Sequence, residues 1–435
     1  MSGAMVDRNE GAGWKAAVGA GAVHLSLALL AILLGIEGTS EWYDQKDYHL
    51  PVIRAFSEAL PTPNLSDYQS ATTPGYHLIM AIAARIVGDG LALSLLNAAF
   101  GVALVALVAA LLARMAGVAA GVAGGLLLGA SPYVLSSSVW LTTDNLASLA
   151  LLAAFLAAMP IAAGTTRYPV RSGALVAACA AAAAIVRQIL AYAAAFVGAA
   201  IVARAISERR MPKATELIAA SLALLPAVAV VVTFVWLWGG LVPPSFRQYH
   251  GGGANPVTPV YVLAVIAVWA LPTFVGIPGY FREFFSARML VLAVLAALVC
   301  CAVPSNYVVH VRFGGVLWSV AEKLPAPWER SVLLVPLAAI GAAAIGAYLR
   351  VLARSATAES RAMGVFALLA LLGMTVAQTA NSQCFERYVQ PPTVFFALTA
   401  AAAVAGRQLR MWPIAAMTAV ATGLSLFNVY RIGAN

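Results

Sequence analysis

Charge is what this chain has least of. Asp, Glu, Lys and Arg make up 10% of its 435 residues, against 62% hydrophobic. A water-soluble domain carries about a quarter of its residues charged, so a soluble globular fold is excluded and most of the chain must face lipid or other helices. Cysteine is also scarce, four in all, with no zinc-ligand spacing and no disulfide framework. Cys179 falls mid-span, while Cys300, Cys301 and Cys384 fall near span ends. A Cys301–Cys384 bridge is one arrangement; buried free thiols are the plainer expectation. No P-loop, no Gly-x-Gly-x-x-Gly in a dinucleotide setting, no His-Glu-x-x-His and no Gly-x-Ser-x-Gly occurs. ATP or a dinucleotide is thereby disfavoured. The short alternating segments of a membrane β-barrel are missing too.

What is present is long apolar runs. About thirteen are of spanning length, from 16–36 near the start to 412–429 near the end. The expected fold is an all-α polytopic membrane protein with about 13 transmembrane helices. It forms one transmembrane domain over residues 1–435, with no separate soluble domain. The alanine-rich spans suit close helix packing. No cleavable signal peptide is expected, since the first apolar stretch is long enough to span and lacks a cleavage-like ending.

Residues 74–87 are apolar but short, and their status sets the topology of everything after them. If they lie along the membrane surface, the N-terminal side gathers 16 of the 26 Lys and Arg and 6 of the 17 Asp and Glu. If they cross, the basic clusters move outside and the positive-inside rule fails. An interfacial segment and a cytoplasmic N-terminus follow. The net charge of +9 then orients the chain and needs no nucleic-acid partner. The extracytoplasmic face carries a large first loop, 37–89, another loop at 304–330, and His49, His77, His250 and His310. It also carries Asp44, Asp47, Asp144, Arg187, Arg247, Arg312 and Arg387. Topology alone brings scattered polar residues to one face, which points to a site there.

The densest polar stretch is Glu41-Trp-Tyr-Asp-Gln-Lys-Asp-Tyr-His49, followed by Thr72-Thr-Pro-Gly-Tyr-His77. Asp44 and Asp47 are three apart and share a face on a helical turn. Either can act as a general base, the alternative being a solvated acidic loop. Asp144 starts a span, as an N-cap or as an acceptor contact. Arg187 and Arg387 sit at span boundaries, where arginines snorkel or clamp a lipid phosphate. Glu386 is placed to hold Arg387, with Tyr388 as an interfacial aromatic. The Gly/Pro-rich turn from Trp238 to Pro244 leads to Arg247 and His250, further phosphate candidates. His24, mid-span, reads as a packed polar residue.

The order of these motifs resembles the GT-C class of integral-membrane glycosyltransferases. Within it, the pattern is most similar to the dolichyl-phosphate-glucose α-1,2-glucosyltransferases. The resemblance is carried by Tyr48-His49-Leu50-Pro51, Thr72-Thr-Pro-Gly-Tyr76, Thr143-Asp144, Arg187-Gln188, Trp238-Gly239 and Glu386-Arg-Tyr388, in family order over most of the chain. Where that family has an Asp-Glu pair, this chain has Asp44-Gln45-Lys46-Asp47. The alanine-rich style suggests a bacterial relative in an inner or plasma membrane.

The resemblance implies a GT-C fold with interfacial helices in the first loop. It implies an inverting transfer of a hexose, glucose first, from a polyprenyl-phosphate-sugar donor to a glycan or lipid-linked acceptor. Asp44, or its rival Asp47, is then the base. Arg387, Arg187, His250 and Arg247 hold the donor phosphate. His49, Tyr76, His77, Asp144, Trp238 and Tyr388 contact acceptor or sugar. No cofactor is required, and a divalent metal is allowed but not implied. The alternatives are a lipid-linked-sugar flippase or a non-catalytic sugar-lipid binding subunit. A transporter places ionisable groups near mid-membrane, whereas here they gather at one face.

Overall fold

The computed structural model describes residues 10–166, 169–250, 253–305, 312–355 and 357–430. Within them the chain is helical almost throughout, because its long apolar runs can satisfy their backbone groups in lipid only by internal hydrogen bonds. Helix α1 (Glu10–Leu33) packs along α5 (Leu91–Ala116) and α6 (Val118–Gly129). Between α1 and α5 lie α2 (Ser40–Asp44), a π-helical turn (Gln45–His49), α3 (Leu50–Ala59) and α4 (Gly75–Val87). Helices α7 (Pro132–Val139), α8 (Asp144–Ala163) and α9 (Pro169–Val186) follow, then a 3-10 stretch (Gln188–Ala195), α10 (Phe196–Glu208) and α11 (Ala214–Trp238). The C-terminal half holds α12 (Thr258–Val265), α13 (Leu271–Val275), α14 (Tyr280–Phe284), α15 (Ala287–Cys301), α16 (Val316–Ala321), α17 (Leu334–Ala353), α18 (Ala358–Thr379), α19 (Glu386–Ala405) and α20 (Trp412–Val429).

Eleven helical runs among the described residues are long and apolar enough to cross a membrane, and the chain is an integral membrane protein. Helices α6 and α7 meet at a 66° bend and make a twelfth if taken as one span. Helix α15 is apolar but has only 15 residues, about 22 Å at 1.5 Å per residue, short of a ~30 Å hydrocarbon core. The expected count of about thirteen is reached only by including it. Helix α19 runs through the middle of the bundle, its span window 83% buried, whereas the α11 window is 11% buried and faces outward. All four cysteines are free, Cys384 buried and Cys301 exposed, so no Cys301–Cys384 bridge forms.

The bundle has two chemically different ends. At one, Arg350 and Arg354 both pair with Glu283, Arg210 pairs with Glu208 and Glu216, and the Arg410 amide donates to the Gly276 carbonyl. At the other lie the first loop, the α9 break at Arg187, the 239–250 turn and a short parallel sheet. That sheet pairs β1 (Arg312–Gly314) with β2 (Gln383–Phe385). His310 lies outside the described residues, and Arg312 is described only as backbone.

The segment 74–87 forms α4 on the first-loop side, amphipathic and packed on α3. Tyr76, His77, Met80 and Ala81 face inward, while Ile79, Ile82 and Ile86 are exposed. Its start is fixed by close approach to the end of α9. The Thr73 hydroxyl donates to the Ala184 carbonyl at 2.6 Å, and the Gln188 amide donates to the carbonyls of Ala71 and Leu241. A Cβ at Gly75 would meet Ile185 Cγ2 at 2.6 Å and its carbonyl oxygen at 2.7 Å, so only glycine fits there.

Candidate active site

Helix α2 begins with Thr39 accepting from the Trp42 amide, and ends at Asp44, where the helix widens into the π turn. A π turn closes i→i+5 bonds and takes more residues per revolution than an α-helix, so Asp44 and Asp47 part company. Asp44 lines a polar cavity of about 220 Å³. Asp47 is exposed and does not line it. The face shared by the two acids, expected from α-helical spacing, is therefore absent.

Two aspartate–arginine pairs dominate the cavity. Arg387 Nη1 donates to Asp44 Oδ2 at 2.6 Å, joining the first loop to the first turn of α19. Arg187 pairs with Asp144, joining the end of α9 to the start of α8. The side chains of Asp44 and Arg387 are 27% and 20% exposed, those of Asp144 and Arg187 10% and 12%, so the first pair is the more open to a ligand. Tyr388 engages both cations: Arg187 Cζ lies 4.0 Å and Arg387 Cζ 5.3 Å from its ring centroid. One aromatic ring thus spaces two like charges. Arg387 Nε is buried with no hydrogen-bond partner, an unusual state for a guanidinium donor.

Two expectations are corrected here. Asp144 is the first residue of α8 and not its N-cap, which is Thr143, and its carboxylate pairs with Arg187. Glu386 does not hold Arg387. It is buried on the other side of α19, accepting from Trp269 Nε1 at 2.9 Å and from the Leu317 amide at 2.8 Å. Consecutive helical residues point about 100° apart, so neighbours in sequence serve different walls. Proline at 391 and 392 leaves the carbonyls of Arg387 and Tyr388 without their usual helical donors.

The other walls come from Tyr48, His49, Ser70, Ala71, Thr72, Thr143, Phe246, Tyr249, His250, Gln383 and Phe385. His49 and His77 stack, with His49 Nδ1 and His77 Nε2 3.0 Å apart. Burial pushes the His49 imidazole down to about 3, helped by the charges of Arg387 and Arg187. Burial likewise lowers His77 well below the usual histidine value. Both are therefore neutral at pH 7. Glu41 is buried behind the cavity, accepting from the Ser40 hydroxyl. Burial raises its carboxyl above the ordinary range, and the charge of Arg387 opposes that rise.

A second cavity of about 520 Å³ shares Ala71, Thr72, Arg187, His250 and Tyr388 with the first. Its remaining walls are mainly apolar, including Ile189, Ala191, Val231, Leu241, Val242, Ala377 and Ala380. Arg247 lines it while donating to the Trp238 carbonyl. A small polar chamber thus opens into a larger greasy groove, with two arginines at the junction and in the chamber. Among the described residues no group of three or more His, Cys, Asp or Glu is set to hold a metal.

No protein-family model matches the chain, and no curated protein matches its sequence. Two solved structures are similar, both of ArnT from Cupriavidus metallidurans. The one bound to undecaprenyl phosphate shares 13% identity over 94% of this chain and 78% of that one, with a TM-score of 0.39. The apo form shares 11% over 89% and 77%, with a TM-score of 0.38. A likeness of that size leaves the activity of this chain to be argued from its own residues.

Of the residues singled out in sequence, Asp44, Asp144, Arg187, Arg387, His49, His250 and Tyr388 meet at the polar cavity. Arg247 stands in the adjoining groove. Tyr76, His77 and Trp238 stand behind the walls: Tyr76 donates to Asn97 Oδ1 at 2.8 Å, and Trp238 Nε1 donates to the Leu65 carbonyl at 2.9 Å. Sequence reading quoted Tyr48 in a motif without giving it a role and missed Phe246 and Tyr249; the three rings pack edge-on or tilted against one another. It also missed Gln45, which accepts from the Leu141 amide at 2.7 Å and fastens the first loop to the bundle. The signal for Tyr48 was its place inside the acidic aromatic stretch; Phe246 and Tyr249 flank the Arg247 and His250 already noted.

Proposed function

We propose that this protein is a GT-C-type glycosyltransferase. It moves a hexose, glucose being the first to try, from a polyprenyl-phosphate-sugar donor to a glycan or lipid-linked acceptor on the extracytoplasmic side of the membrane. The carrying observation is the junction of a polar chamber holding two Asp–Arg pairs with an apolar groove that shares Arg187 and Tyr388. An isoprenoid tail suits the groove and a sugar phosphate the chamber. The unpartnered Arg387 Nε supports an anionic ligand. The charge asymmetry of the two ends supports the orientation.

The chemistry is a displacement at the anomeric carbon. The acceptor hydroxyl oxygen forms the new C–O bond, the bond to the phosphate oxygen breaks, and the hydroxyl proton passes to a carboxylate. Asp44 is the base, being more exposed to the chamber than Asp144. Arg387 and Arg187 stabilise the polyprenyl phosphate as its second negative charge develops. Donor binding draws Arg387 from Asp44 toward the phosphate, and the carboxylate is released when the substrate is in place.

The test is transfer from radiolabelled undecaprenyl-phosphate-linked glucose, mannose, arabinose and galactose by the purified protein. Donor-dependent turnover abolished by Asp44→Asn supports the enzyme. Tight binding of undecaprenyl phosphate with no turnover of any donor overturns it in favour of a transporter or binding subunit.

A further inference from the structure

His49 lines the chamber, but its Nδ1 faces away, 3.0 Å from His77 Nε2. That contact is one hydrogen bond between two neutral rings, so only one of the two nitrogens carries the proton. The choice is decided at the far side of His77. Its Nδ1 is buried with no partner, ringed by Phe56, Tyr68 and Tyr76. If His49 donated, His77 would carry its proton on Nδ1 and bury an orphan N–H in an aromatic pocket. If His77 donates from Nε2, what is left at Nδ1 is a bare lone pair, the cheaper orphan by analogy with the backbone, where an unpaired N–H is rarer than an under-satisfied C=O. His49 Nδ1 is then the acceptor, and its own proton sits on Nε2. The two arginines facing the chamber lower the affinity of His49 for a second proton; each is paired to an aspartate before donor binds.

We infer that His77 is a positioning residue that locks His49 in its Nε2–H tautomer, so that His49 presents a fixed, uncharged N–H donor to an oxygen acceptor in the chamber. With two guanidinium groups on the same walls, that acceptor is a phosphate oxygen. A neutral donor adds a hydrogen bond without adding a charge that Asp44 or Asp144 would compete for. The low proton affinity of both rings agrees with it. The step from tautomer to turnover rests on the proposed glycosyl transfer; the tautomer itself does not.

The test therefore has two arms on the full-length protein in nanodiscs. In the first, 15N-histidine NMR reads the ring proton of His49, assigned by its loss in His49→Asn, with no substrate present. The expected result is a proton on Nε2 in the wild type and a mixture in His77→Phe. A wild-type proton on Nδ1 overturns the inference. In the second arm, His77→Phe lowers kcat on undecaprenyl-phosphate-linked glucose in proportion to the share of His49 that the first arm finds in the Nδ1–H form, about twofold for an even mixture, with donor KM nearly unchanged. His77→Gln, whose amide N–H can replace Nε2–H, restores kcat. Full kcat in a folded His77→Phe overturns the positioning role. Should the tautomer be as stated while no donor sugar is transferred by the wild type, the enzyme reading fails and the tautomer assignment stands.

Discussion

Asp44→Asn separates the chemical role of this carboxylate from its structural one. The substitution keeps the shape and one acceptor oxygen, and removes the charge that faces Arg387 at 2.6 Å. Breaking a fully buried pair costs about 3–5 kcal/mol. With both side chains a fifth or more exposed, about 1–3 kcal/mol is the expected loss of stability, read as a lowered Tm in detergent. The chemical loss is larger. A positioned general base is worth about 10²–10⁴ in rate, or about 3–5 kcal/mol on the barrier. Binding moves the other way, because Arg387 loses its internal partner and is free for an anion, so affinity for undecaprenyl phosphate holds or rises. The assay is transfer of radiolabelled sugar by wild type, Asp44→Asn and Asp47→Asn, with and without EDTA, beside direct binding of undecaprenyl phosphate. Asp47→Asn stays close to wild type, since Asp47 is exposed and outside the cavity. Turnover in Asp44→Asn above about a tenth of wild type, or turnover and phosphate binding lost together, would falsify the assignment. Loss in Asp47→Asn alone would move the base.

Further outcomes follow from the packing around the site. Gly75→Ala forces a Cβ to within 2.7 Å of the Ile185 carbonyl and costs about 1–3 kcal/mol as overpacking, measured by thermal unfolding; an unchanged Tm would show that α4 can slide. Gln188→Ala removes the ties to Ala71, Thr73 and Leu241, and raises donor KM more than it lowers kcat as the groove loosens. Acidification destabilises the fold through His49. Its folded value is depressed to about 3, so its contribution is fully present above the unfolded value near 6.5 and is lost as pH falls through that window. Between pH 7 and pH 5 the loss is about 1–2 kcal/mol, and it is smaller in His49→Asn on the same unfolding assay.

Much of this was legible in the sequence, for identifiable reasons. Apolar length gave the membrane bundle, because it is a property of composition along the chain. The motifs Thr72–Tyr76 and Arg187–Gln188 stood out separately, and the structure explains why: the first docks on the second through Thr73, Gly75 and Gln188. What eluded the sequence is direction. A π turn cannot be told from an α turn by residue type, so Asp47 stayed a rival to Asp44. Glu386 and Arg387 are adjacent, and only the packing of α19 shows that they face different walls. The partners of Asp44 and Asp144 lie 343 and 43 residues away, beyond any local pattern.

That span of 343 residues between Asp44 and Arg387 also bears on how the protein is made. At about 5–20 residues per second, a ribosome needs roughly 17–70 s to go from one to the other. During that interval the first loop already holds its acid, yet the wall that answers it has not been synthesised. A nascent or prematurely terminated chain that stops short of α19 therefore cannot assemble the chamber. On the proposed function, activity begins only once α19 has been inserted and Arg387 can meet Asp44.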